Sequence, residues 1–167
     1  MYEYAPNFIK RKEKQVTYGL FGVGAVLFVV SSVAGFPIPW LFQILGLAAL
    51  GGAIYIYSAC ITRTYVYRVE DRDRMTPDLI ITERVGKRVQ TVCRISLSSV
   101  QGVYPVSKET KRALEKRRAG RQYFSYTGVL FDGEQYYIEA EECDVPLLLR
   151  VCADETLLSF LGGVKTL

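Results

Sequence analysis

Gln15 to Ala34 (QVTYGLFGVGAVLFVVSSVA) and Trp40 to Ile61 (WLFQILGLAALGGAIYIYSACI) flank the short connection Gly35 to Pro39 (GFPIP), and no Asp, Glu, Lys or Arg occurs from Gln15 to Thr62. At about 1.5 Å per residue each apolar run makes a helix about 30 Å long, which matches the hydrocarbon core of a bilayer. The pair is expected to form a transmembrane helical hairpin over residues 15–61, with spans at 15–34 and 40–61. The connection holds two prolines and is short, so the helices must return as antiparallel neighbours.

The residues on either side orient the hairpin. Residues 1–14 form a polar head ending in Lys10, Arg11, Lys12, Glu13 and Lys14, Arg63 and Arg68 follow the second span, and the connection has no charge. Cationic flanks remain on the cytoplasmic side. Both termini are therefore expected in the cytoplasm, with the chain in the cell membrane. A signal peptide is the rival reading of the first run, since Ser32-Val33-Ala34 fits a small-x-small cleavage site. The run is longer than the usual 7 to 15 residues of a signal core, however, and a second apolar run follows at once.

Within the spans, Gly22, Ala25 and Ser32 are expected to share one face of the first helix. Ala48 with Gly52, or Ala49 with Ala53, has small-xxx-small spacing in the second. Such positions let helices approach closely in lipid. Sealing the hairpin on itself is their simpler role, and association with another membrane subunit the alternative. Tyr18, Trp40, Tyr55 and Tyr57 suit the interfacial belts, and Gln43 lies within a turn of Trp40.

The chain has 167 residues, half of them hydrophobic, which leaves room for the hairpin and one domain of about 100 residues over 62–167. It contains no His, which removes the usual general base and the commonest metal ligand. Its four cysteines form no CxxC pair and read as small apolar residues in a reducing compartment. The formal net charge is only +4, but Lys108 to Arg121 carries seven basic and two acidic residues, whereas Asp132 to Glu155 carries eight acidic residues against Arg150.

After Thr62 the pattern becomes alternating, and seven strands are expected. Thr64 to Glu70, Asp78 to Arg84 and Arg88 to Ile95 come first, with Val89, Thr91, Cys93 and Ile95 alternating against Arg88, Gln90 and Arg94 as on a half-buried sheet. Part of Ser98 to Tyr104 completes a four-stranded meander. Tyr123 to Phe131 and Glu134 to Glu141 are expected to pair through a turn at Asp132-Gly133, a dipeptide suited to a type I′ hairpin. Pro146 to Cys152 reads as a seventh strand or the start of a helix. The strand is favoured because Asp154-Glu155 supplies a fresh N-cap and first-turn acid for a closing helix that Gly162-Gly163 ends.

Residues 107–121 interrupt this sheet. Ser107 is a candidate N-cap, the middle is rich in helix formers and Gly120 is a candidate stop. Only Ala113 and Leu114 are apolar there, so the segment is expected to stand out from the domain. Its cations Lys108, Lys111, Arg112, Lys116, Arg117, Arg118 and Arg121 are the candidate contact with an anionic surface, because the inner leaflet attracts nearby Lys and Arg. A solvated charged helix is the plainer reading. Without spaced aromatics or a reading motif, nucleic acid is disfavoured. The acidic stretch Glu139, Glu141, Glu142 and Asp144 offers no Asx-rich loop for calcium, and nothing marks a substrate cleft. No catalytic, cofactor-binding or metal-binding residue is assigned.

Tyr65-Val66-Tyr67, Leu79-Ile80-Ile81, the Gly86 turn and the run Ile95-Ser96-Leu97-Ser98-Ser99-Val100-Gln101-Gly102-Val103 together resemble the bacterial PH-like domains that follow paired transmembrane helices. The resemblance covers about Thr62 to Gly162. It implies an α+β chain in which a small seven-stranded PH-like barrel or sandwich, closed by a C-terminal helix, follows the hairpin. It also implies a binding role at the inner membrane surface. The basic insertion departs from a minimal PH-like connection, and the first hairpin, with Arg72 and Arg74 beside Asp71 and Asp73, does not match a headgroup site. The expected function is a membrane-anchored adaptor that contacts the bilayer, anionic headgroups or a protein partner; the alternative is an accessory subunit of an integral membrane complex such as a transporter. An enzyme is not expected.

Overall fold

The fold is that of a computed structural model, which describes residues 1–6, 10–33, 38–71, 76–117, 122–130, 134–142 and 144–165. The chain is α+β and divides into two compact units, one of Met1–Phe8, Thr64–Gly128 and Asp132–Leu167, the other of Ile9–Arg63 and Val129–Phe131.

The helical unit holds α1 (Arg11–Ser31) and α2 (Pro39–Ile56), and α2 runs on as a π-helical turn, Tyr57–Ile61. Both helices are long and apolar enough to cross a membrane. The helix α1 begins four residues earlier than the apolar run, because Arg, Lys and Glu are good helix formers and continue it outward. Glu13, Thr17, Gly24 and Ser31 of α1, and Gly46, Ala53 and Cys60 of α2 and its π-helical turn, are buried. Spacings of four and seven make each set one seam, as in packed antiparallel helices. The helices pack tightly at Gly24 and Gly46: a Cβ on Gly24 would lie 2.8 Å from Leu50 Cγ, and one on Gly46 would lie 3.2 Å from the Gly24 carbonyl oxygen. The expected face of Gly22, Ala25 and Ser32 is not this seam; all three are exposed, as is Ala48, whereas Ala53 is buried. In an all-apolar helix small residues occur on several faces, so composition did not select one.

Among the described residues the other unit has eight strands rather than seven. The first sheet runs β1-β2-β3-β4, and the second β5-β7-β8-β6. The extra strand is β1 (Tyr2–Tyr4), which pairs antiparallel with β2 (Arg63–Asp71), Tyr4 opposite Tyr67. The first residues are thus not a separate head. They form one edge of the sheet to which β2 also belongs, and the chain leaves and re-enters that sheet through the helical unit.

The strands β3 (Pro77–Val85) and β4 (Arg88–Ser96) form the expected hairpin, closed at Gly86-Lys87 with Gly86 at φ +59. The alternation expected along β4 is buried only at its end, since Val89 and Thr91 are exposed, Cys93 is half-buried and Ile95 is buried. A 3-10 turn, Leu97–Ser99, then directs β5 (Val100–Pro105) into the second sheet instead of a four-strand meander. There β5 pairs antiparallel with β7 (Gln135–Glu142), and β7 with β8 (Val145–Cys152). The region 145–152 is therefore a strand. It is reached through a tight turn in which Asp144 takes φ +63, a left-handed conformation that Asp tolerates. The strand β6 (Gln122–Ser125) is shorter than expected and pairs in parallel with β8, not antiparallel with β7. The proposed hairpin turn at 132–133 lies outside the described residues, as do 72–74 of the first turn and Gly120.

Neither sheet is closed into a barrel. Tyr67, Leu79, Ile81 and Ile95 of the first sheet are fully buried, with Val103, Ile138, Leu149 and Val151 of the second. Tyr67 ties the sheets together by donating to the Tyr126 carbonyl at 2.6 Å and accepting from the Cys152 N–H at 3.1 Å. The closing helix α4 (Glu155–Phe160) is capped by Asp154, whose Oδ1 accepts from the Leu157 N–H at 2.9 Å. Its stop is Gly162, at φ +87.

Candidate functional site

The basic segment forms α3 (Lys108–Arg117). Ser107 caps it, its Oγ accepting from the Thr110 N–H at 2.9 Å and lying 2.7 Å from Thr110 Oγ1. The helix does not stand out from the domain. Leu114 is fully buried in a cluster with Tyr104 of β5, Tyr137 of β7 and Leu148 of β8, and Val106 packs against them. One leucine in a charged helix is enough to dock it, since burying such a side chain contributes about 1.5–3 kcal/mol. Thr110, one turn earlier, is buried as well, while Lys108, Lys111 and Arg112 are exposed. Three of the seven candidate cations thus share the exposed surface of a helix that the sheet holds in place. Lys116 and Arg117 belong to the same helix, and Arg118 and Arg121 lie outside the described residues.

An aromatic on the same sheet face was not singled out from the sequence. Tyr123 of β6 is opposite Leu148 in the ladder and packs edge-on against Tyr137, ring centroids 6.5 Å apart. It nonetheless remains 47% exposed, so a half-exposed tyrosine shares the face that carries the basic helix. Its signal was its position just after the charged run, where an edge strand leaves aromatic area uncovered.

Polar groups also gather at the base of the helical unit. Glu13 is fully buried, and its Oε1 accepts from the Leu130 N–H at 3.0 Å. Thr17, one turn further along α1, is also fully buried. Lys10 donates from Nζ to the carbonyls of Cys60 and Arg63, the latter at 2.6 Å, offsetting the negative carbonyl end of the second helix. Burial holds its ammonium pKa below the ordinary value. The cluster of residues 10–14 therefore supplies structural contacts within the helical unit.

The remaining candidates for chemistry are engaged elsewhere. Burial pushes the Cys93 thiol up to about 11, with Glu142 adding to it, and the Cys152 thiol up to about 12. Such thiols carry little thiolate near neutral pH. In the acidic stretch, Glu139 is buried, Glu141 accepts from Gln101 Nε2 at 2.6 Å, and Asp144 forms the β7–β8 turn. Among the described residues no three His, Cys, Asp or Glu side chains are grouped to hold a metal ion.

Comparison with protein-family models, with curated proteins and with solved structures finds no match to this chain.

Proposed function

We propose that this chain is a membrane-anchored binding module, held by its helical hairpin in the cell membrane with both termini in the cytoplasm, and that it acts at the inner membrane surface through anionic-lipid or protein contacts. The observation that carries this reading is the sheet edge. The strands β1 and β2 flank the two apolar helices in sequence and are hydrogen-bonded to each other. Both ends of the hairpin must then lie on one side of any bilayer it crosses. The cations at 10–14, 63 and 68, against an uncharged connection, favour the cytoplasm for that side.

The outward surfaces of the helices support the anchor role. Tyr18, Val26, Val29, Leu47, Ile54 and Tyr55 are all more than half exposed, an apolar exterior that needs lipid around it. The exposed Lys108, Lys111 and Arg112, with Tyr123 on the same sheet face, supply the binding surface. Confinement to two dimensions raises the local concentration of any surface partner without new contacts. A PH-like ancestry for the β unit is supported by the sharp turn into the second sheet and by the capped closing helix with buried Leu157, Leu158 and Leu161. The parallel β6 is its departure from that pattern.

A second reading, an accessory subunit of a membrane complex, is favoured by Gly22, Ala25, Ala48 and Gly51, which are exposed and unused by the hairpin's own seam. Pull-down of the full chain from detergent, with and without charge reversal at Lys108, Lys111 and Arg112, separates the two. The adaptor reading expects partner or anionic-lipid retention to fall with reversal. A stoichiometric membrane partner retained equally by both forms would favour the accessory subunit.

A further inference from the structure

The hairpin of β3 and β4 has a tip unlike the rest of its sheet. Arg84 is opposite Val89 and Val85 opposite Arg88, with the turn at Gly86-Lys87. Every residue from 84 to 91 is exposed on both strands, whereas Leu79, Ile81 and Ile95 nearer the base are fully buried. The tip therefore extends past the edge of the core. It holds Arg84, Lys87 and Arg88 and no acid between positions 84 and 91.

Other arginines of this sheet find carboxylates. Arg68 pairs with Glu3 at 2.9 Å and with Glu70 at 3.2 Å, and Arg94 pairs with Asp78 at 2.8 Å. No such pair involves the three tip cations among the described residues. The nearest acid in sequence, Glu83, is buried and accepts from Tyr65 at 3.2 Å and Gln90 at 3.0 Å. Val85 and Val89 are 39% and 57% exposed and sit on opposite faces of the ribbon, each beside an arginine.

We infer that this tip inserts into the headgroup layer of an anionic bilayer, as a lipid contact separate from the basic helix. A protein surface would meet one face of a two-stranded ribbon, but here each face presents one apolar and one cationic side chain, and a headgroup layer surrounds both. Valine reaches the boundary of the acyl chains while the long stems of Arg and Lys leave their charges among the phosphates. Charge complementarity selects the anionic lipid. The inference rests on the membrane reading of the hairpin helices, which keeps a leaflet available to the chain, and not on α3.

Trp40 is the only tryptophan, so a Trp40→Phe, Val89→Trp chain reports on the tip alone. It would be reconstituted at full length into nanodiscs of phosphatidylcholine, with or without phosphatidylglycerol, containing lipids brominated high on the acyl chains. The expected result is blue-shifted, quenched emission in the anionic discs at low salt, reversed by high salt and by Arg84→Glu, Lys87→Glu and Arg88→Glu together. Emission that is unquenched in both lipids, or quenched regardless of that charge reversal, overturns the inference. The chain retaining Trp40 is the control for the membrane reading. Its quenching alone would leave the anchor standing without the tip contact, and its failure to quench in either lipid would sink the anchor reading itself.

Discussion

Tyr67 illustrates how much one side chain decides in the β unit. Its phenol is fully buried, donates to Tyr126 and accepts from Cys152, and so joins β2 to β8 and to the segment after β6. Tyr67→Phe keeps the ring but strands the Cys152 N–H and the Tyr126 carbonyl, for an expected loss of about 1–3 kcal/mol. Equilibrium unfolding of the detergent-solubilised chain would measure it, with Tyr123→Phe as an exposed control expected to change by less than about 0.5 kcal/mol. Burial also raises the Tyr2 and Tyr126 phenols to about 12 from an ordinary 10, and the Cys152 thiol to about 12 from 9. The folded state then holds these protons more tightly than the unfolded chain. Its advantage is complete below about pH 9 and declines as pH rises toward 12. A tyrosinate absorbance titration followed alongside unfolding should find ionisation of these groups delayed and stability falling through that window. Stability that stays level from 9 to 12 would contradict the assignment. Tyr67 and Tyr126 were visible in the sequence as strand residues and Tyr2 only as part of a polar head, but the partners of their hydroxyls lie 34 to 152 positions away, beyond any local pattern.

At the scale of elements, what was legible followed from local periodicity and capping. The two apolar helices, the β3–β4 turn at Gly86, the strand at 145–152 and the Asp154-capped helix all carry their signals within a few residues. What escaped depends on distant partners. The strand β1 is three residues long, too short for a period, and is defined by pairing with residues 67–69. The parallel pairing of β6 with β8 could not be read because the Asp132-Gly133 dipeptide suggested a nearer partner. The docking of α3 rests chiefly on Leu114, its one fully buried apolar side chain among the described residues, which a count of apolar residues undervalues. Leu114→Ala should therefore cost about 2–5 kcal/mol, as for a truncated core leucine, while Lys111→Ala on the exposed side stays within about 0.5 kcal/mol. Equal effects in thermal or chemical unfolding would mean that the helix is not held by its buried leucine.

For the molecule as a whole, the decisive feature is a helical hairpin whose two ends return to one sheet. The basic helix, the half-exposed Tyr123 and the β3–β4 tip gain meaning only if the β unit lies in the cytoplasm. The most direct test is thiol labelling of intact cells with a membrane-impermeant maleimide, using Ile38→Cys at the start of the second span and Val164→Cys near the C-terminus. Both positions are exposed. Labelling is expected at position 38 in intact cells, and at position 164 only after permeabilisation. Labelling at position 164 in intact cells, or equal labelling at both, would contradict an anchor with both termini inside.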